Sequence, residues 1–311
     1  MRLPRPRRVF AIALISYSVL CIFGGVFLTR LALHMPRKSI TFNDQERVLD
    51  IAHDQGLHLY NTSLRTSDGV LLHAWEIDPA LTNGNAVILF HGVGDNRSSM
   101  LGYAELFLKH GYSILLLDSR AHGESGGDLS TYGLLERNDI HQWFDWFQER
   151  GHFSCIYGLG ESMGAAELLQ SLQVEPRFCA VVAESPFSNF HEIAYDRVGQ
   201  FFQVGPWMGR IVLRPMVESA FIYSRWKYGL NLSEVAPETA VATTNVPVLL
   251  IHGEKDGNIP IRHSLRIQAK NPKVKLWKVP NANHCGAIGA DPQKFESVVI
   301  GWLKQHSKAL N

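Results

Sequence analysis

Apolar residues occur along this chain in three kinds of run, and each kind predicts a different element. The first is unbroken: residues 9–28 carry no charge and are long enough to cross a bilayer as one helix. The second is short and continuous. Residues 86–90, 113–117, 155–159, 178–183, 246–251 and 274–279 read as buried strands. The third recurs at helical spacing, as in Met100, Leu101, Ala104 and Leu108, or Ile140, Trp143, Phe144 and Phe147, and again over 292–305. Residues 57–66 and 70–77 flank Ser67-Asp68-Gly69, a hairpin turn. Apolar strands alternating with amphipathic helices predict an α/β fold: a mostly parallel sheet with helices on both faces, made mixed by the leading hairpin.

One interval interrupts the alternation. About residues 185–245 hold no strand pattern but many rings, among them Phe187, Tyr195, Phe201, Trp207, Phe221 and Trp226. A structureless loop of this length would be unusual, so a helical cap insertion is expected. Its position after the late strands suggests a lid at the carboxyl ends of the sheet, where open α/β sheets bind ligands.

The apolar N-terminal run is preceded by Arg2, Arg5, Arg7 and Arg8 and followed by Arg30, Arg37 and Lys38. It exceeds the apolar core of a cleaved signal peptide and lacks an evident small-residue cleavage site, so it reads as an uncleaved signal-anchor. The slight excess of positive charge before it places the N-terminus in the cytoplasm and the rest of the chain on the non-cytoplasmic side. Residues 1–36 are thus an anchor, 37–56 a polar and partly helical connector, and 57–311 the main domain.

Composition narrows the chemistry. A net charge of +1 gives no reason to invoke nucleic acid. The 14 histidines are scattered without a metal-binding spacing, so no metal is expected. Cys21, Cys155, Cys179 and Cys285 form no recognisable framework. A Cys155–Cys179 bridge is conceivable, and two buried free thiols are the expectation. Asn61, Asn96 and Asn231 begin glycosylation-acceptor triplets, at a frequency ordinary for chance.

The chemistry centres on Gly160-Glu161-Ser162-Met163-Gly164, set between an apolar strand and a helical run. Strand, G-x-S-x-G and helix form the nucleophile-elbow pattern. A serine hydroxyl needs a base, and the base an orienting carboxylate, in the chain order Ser, acid, His at successive strand ends. Asp256 follows strand 246–251, and His284 follows strand 274–279. Ser162, His284 and Asp256 are therefore the expected triad, with Glu184 the fallback acid or else a hydrogen-bond partner for the cap. The backbone N–H groups of Met163 and Val93, the latter in the His91-Gly92-Val93-Gly94 loop, are the expected oxyanion hole. His91 is expected to brace that loop. Asp118, Arg120, His122 and Ser125 are expected to fix the loop after strand 113–117.

These motifs together, with His252-Gly253-Glu254-Lys255-Asp256 and Asn283-His284, resemble the α/β-hydrolase superfamily over about residues 57–306. Within it the chain is most similar to serine-aminopeptidase-like and monoacylglycerol-lipase-like hydrolases and to membrane-anchored acyl-protein thioesterases. The resemblance implies an eight-stranded sheet, no cofactor, and acyl-enzyme chemistry through Ser162. Ala121 departs from it, because such relatives commonly carry glycine there. The expected activity is cleavage of carboxylic esters or thioesters of apolar, lipid-like acyl groups at a membrane. Amide or peptide cleavage by the same triad is the alternative, and a non-catalytic binding protein on the same fold is the rival from another class.

Overall fold

A computed structural model describes residues 6–54 and 56–307; Arg2 and Arg5 of the basic N-terminal flank lie outside the described residues. The described chain divides into two compact units. One holds the chain up to His34 together with Asn189–Val235; the other holds Met35–Ser188 and the chain from Ala236 onward.

The larger unit is built on an eight-stranded sheet. Its strands are β1 (His58–Arg65), β2 (Leu71–Asp78), β3 (Asn85–Phe90), β4 (Ser113–Leu117), β5 (Cys155–Glu161), β6 (Val181–Glu184), β7 (Val248–Gly253) and β8 (Lys275–Val279), in the order β1-β2-β4-β3-β5-β6-β7-β8. The leading hairpin pairs antiparallel, as does β2 with β4, and all the other neighbours are parallel. Period-two alternation sends Val87 and Leu89 into one core and Ala86, Ile88 and Phe90 into the other, so both faces are apolar and both need cover. Phe107 and Phe295 fill the first core, Trp143 and Leu168 the second.

Helices α1 (Pro6–Leu33) and α2 (Phe42–Asp54) precede the sheet; α3 (Leu101–Lys109), α4 (Glu136–Gly151) and α5 (Met163–Ser171) alternate with its strands. The interval after β6 is helical, comprising α6 (Phe190–Phe201), α7 (Pro206–Ile211), α8 (Arg214–Tyr228) and α9 (Pro237–Thr243). The last helices are α10 (Arg262–Lys270), α11 (Ala287–Ala290) and α12 (Pro292–Gln305). Capping follows side-chain chemistry: Asn189 accepts from the Glu192 N–H at the start of α6, and Asp291 from the Lys294 N–H at the start of α12.

Cys155 and Cys179 are joined by a disulfide across a Cα–Cα distance of 5.6 Å, which corrects the expectation of free thiols. The cause is the register. Gly158 pairs with Val181, so the first residues of β5 lie beside the segment that leads into β6, and the Cys179 N–H donates to the Ile156 carbonyl at 2.9 Å.

The smaller unit joins α1 to α6, α7 and α8. Helix α1 is long and apolar enough to cross a membrane. It runs beside α8 through a step of small residues. A Cβ on Gly25 would lie 2.7 Å from the Ala220 nitrogen, and the Thr29 hydroxyl donates to the Ala220 carbonyl at 2.9 Å.

Candidate active site

Parallel strands deliver their carboxyl ends to one edge of the sheet, and the predicted site residues follow those ends. Ser162 stands between β5 and α5 with φ +53° and ψ −112°, a strained backbone for a residue bearing a Cβ. Its neighbours explain how the turn is tolerated. A Cβ on Gly160 would lie 2.6 Å from the Gly164 carbonyl, and one on Gly164 would lie 2.5 Å from the Phe90 oxygen. Both clashes are with backbone, so only glycine lets the elbow fold back against the end of β3. The Ser162 N–H donates to the Glu184 carbonyl and the Gly164 N–H to the His91 carbonyl, pinning the turn to β6 and to the loop after β3.

The Ser162 hydroxyl lies 2.9 Å from His284 Nε2, and His284 Nδ1 lies 2.8 Å from Asp256 Oδ2. Asp256 Oδ1 accepts the Asn258 and Ile259 N–H groups, each at 2.9 Å. Burial pushes the Asp256 carboxyl up, but the bonds from His284 and Ile259 outweigh it and hold the carboxyl below the usual range. Asp256 is therefore an anion facing an imidazole. His252 is buried alongside and kept neutral by burial; its Nε2–H donates to the Ile259 carbonyl, and its Nδ1 accepts from Ser264.

The two expected oxyanion donors differ in exposure: Met163 is buried at the start of α5 and Val93 is half-buried in its loop. Among the described residues neither N–H has a protein acceptor. His91 Nδ1–H donates to the Gly92 carbonyl at 2.7 Å, and its Nε2 accepts the Ser119 N–H. Burial, with His122 nearby, depresses its pKa to about 4, so it is a neutral brace. Asp118 receives the Arg97 guanidinium and the Glu124 N–H, while Arg120 pairs with Asp139. The backbone of Ala121 has φ +61°, which explains why glycine suits that position.

Glu184 does not face His284 as an acid. Its carboxylate accepts the Ala287 N–H and the Tyr103 hydroxyl, each at 2.9 Å, so the expected hydrogen bond to the inserted helices is replaced by bonds within the larger unit. Glu161 pairs with Glu184 across β5 and β6, and the same Tyr103 hydroxyl lies 3.4 Å from its Oε2. Burial, Glu184 and Asp95 push Glu161 up to about 7. This acid pair went unread in the sequence, although the non-glycine position before the serine and the acid ending β6 are its signals.

Among the described residues one group could hold a cation. His141, Asp145 and Glu175 converge, but the Arg177 guanidinium already pairs with both acids.

Comparison with known proteins gives the family and the fold. Residues 82–220 match the family model described as serine aminopeptidase, S33. The chain is 30% identical over 224 residues to the Bacillus subtilis (strain 168) protein YqkD, covering 70% of this chain and 71% of that one. The chain is an α/β-hydrolase. Among solved structures, the hydrolase is similar to the Pyrococcus furiosus esterase Pf2001, with a TM-score of 0.68, 25% identity, and 88% and 98% of the two chains covered. It shares its fold with the Pyrococcus horikoshii acylaminoacyl peptidase, with a TM-score of 0.60 and 17% identity over 82% of this chain and 42% of that one. The hydrolase thus belongs to an esterase- and peptidase-like family.

Proposed function

We propose that this chain is a membrane-anchored serine hydrolase that cleaves esters or thioesters of apolar acyl groups. The observation that carries the reading is the unbroken hydrogen-bond line from the Ser162 hydroxyl through His284 to Asp256. His284 Nε2 takes the Ser162 proton as Oγ attacks the acyl carbonyl, and Asp256 stabilises the imidazolium that forms. The Val93 and Met163 N–H groups receive the developing oxyanion. His284 returns the proton to the leaving group, and water then releases the acid by the same route. An esterase among the structural neighbours at 25% identity supports ester over amide substrates.

Anchoring rests on α1, and the orientation on two further supports. Disulfides persist in oxidising compartments, so the Cys155–Cys179 bridge favours the non-cytoplasmic side for the hydrolase domain. The positive flank that includes Arg7 and Arg8 favours a cytoplasmic N-terminus.

The test is hydrolysis of p-nitrophenyl esters of two to sixteen carbons by the full chain in detergent, beside Ser162→Ala and Asp256→Asn. Ser162→Ala should lose about 10⁴–10⁶-fold in kcat, and Asp256→Asn about 10⁴-fold. Equal turnover by the parent and Ser162→Ala would refute the assignment.

A further inference from the structure

If α1 crosses a bilayer, whatever packs along its middle lies at hydrocarbon depth too. The ring of Phe201 sits 6.5 Å from that of Phe27, and the Tyr17 hydroxyl donates to the Val212 carbonyl. Residues 201–213 therefore run beside residues 17–27 of α1, a stretch of about 15 Å at helical rise within the uncharged part of that helix.

The composition of this tip suits that depth. Residues 201–213 contain one charged side chain, Arg210, and its guanidinium is paired with Glu192 and Asp196. Backbone groups in the tip are bonded locally, the Val204 N–H to the Gly199 carbonyl and the Leu213 N–H to the Met208 carbonyl. Its apolar side chains nevertheless face outward: Phe201, Phe202, Trp207 and Ile211 are exposed, as are Ile222 and Trp226 on α8. The outward face of α1 is apolar as well, with Phe23 71% exposed. The two surfaces belong to one compact unit held together at Gly24, Gly25 and Thr29.

Charge begins on the first turns of α8, where Arg214 pairs with Glu218 at 3.4 Å, and it turns basic at the other end. Arg225 and Lys227 lie beside Tyr228, whose ring is 5.7 Å from that of His34, just past the end of α1. A depth axis results, apolar with paired charges at the tip and basic where α1 emerges, with amphipathic Trp226 near the boundary.

We propose that the α6–α7–α8 insertion docks into the lipid bilayer beside α1, its tip immersed among acyl chains and its basic end at the phosphate level. The occupant of the exposed aromatic face is lipid. The proposal rests on the anchor reading of α1, and the test separates the two.

The full chain would be reconstituted into phosphatidylcholine–phosphatidylglycerol vesicles, with or without phosphatidylcholine brominated at mid-chain. Flotation reports the anchor. Bromine quenching of tryptophan emission reports the docking, because Trp207 and Trp226 are two of the seven tryptophans. The expected result is flotation together with quenching that is largely lost in the Trp207→Phe/Trp226→Phe double variant. Gly25→Leu, which forces a side chain into Ala220, should still float yet lose most of that quenching. Flotation with equal quenching in parent and double variant would overturn the docking and leave the anchor standing. Failure to float would overturn both. Flotation without this quenching, but with cross-linking of two copies through the insertion, would assign the face to a second copy and likewise overturn the proposal.

Discussion

The disulfide offers the sharpest test of the fold, because its contribution follows from chain length alone. Cys155 and Cys179 are 24 residues apart. Closing a loop of that size removes denatured-state entropy worth about 3.5 kcal/mol at 25 °C. Cys155 is buried in the core against Tyr157 and Ala180, so changing it would add a packing loss. Cys179 is half-buried, and Cys179→Ala breaks the bridge while leaving Cys155 in place. Urea unfolding of the full chain in detergent, followed by emission of buried Trp75 and Trp143, reads the larger unit. With a slope of roughly 3 kcal/mol per molar urea, the midpoint of Cys179→Ala should fall by about 1 M in oxidising buffer. In strong reductant the parent should fall to meet it. Midpoints that coincide in both buffers would refute the reasoning, since the bridge would then be absent or without effect.

Three further outcomes follow from the elbow and its surroundings. Glu161 titrates near 7 in the fold and near the ordinary carboxylate value when unfolded, so its contribution is fully present below about pH 4.5 and lost as pH rises through 7; Glu161→Gln should therefore flatten the pH dependence across that window and raise stability at pH 8 by about 1–3 kcal/mol, read as urea midpoints at pH 5 and 8. Gly164→Ala should cost more than about 2 kcal/mol through its backbone clash at Phe90, whereas Gly301→Ala, in open space on α12, should gain about 0.5–1 kcal/mol; comparable midpoints for these two variants would contradict the close approach. Ala121→Gly should stabilise by at most about 1 kcal/mol, relief of the left-handed strain exceeding the added chain entropy, and a lower thermal midpoint would count against that balance.

The strands were legible because parallel strands buried on both faces must be continuously apolar, and 113–117 and 155–159 could hardly be anything else. Ser162, Asp256 and His284 were picked out because their chemistry demands a place after particular strands in a particular order. What depended on register was hidden. Cys155 meets Cys179, and Glu161 meets Glu184, only because β5 and β6 pair with one particular offset, and no spacing along the chain encodes that offset. The grouping of α1 with the insertion was hidden for a similar reason. Gly24 and Gly25 look like ordinary residues of an apolar helix until Met216 and Ala220 are brought against them.

That grouping has a consequence in time. Thr29 and its partner Ala220 are separated by 191 residues of chain. At roughly 5–20 residues per second of synthesis, α1 exists for about 10–40 s before α8 has been made. During that interval its small-residue step lies uncovered, open to other helices of similar shape. The insertion must then find a helix already in place, so the smaller unit unites one helix made before any strand of the sheet with others made after six of them.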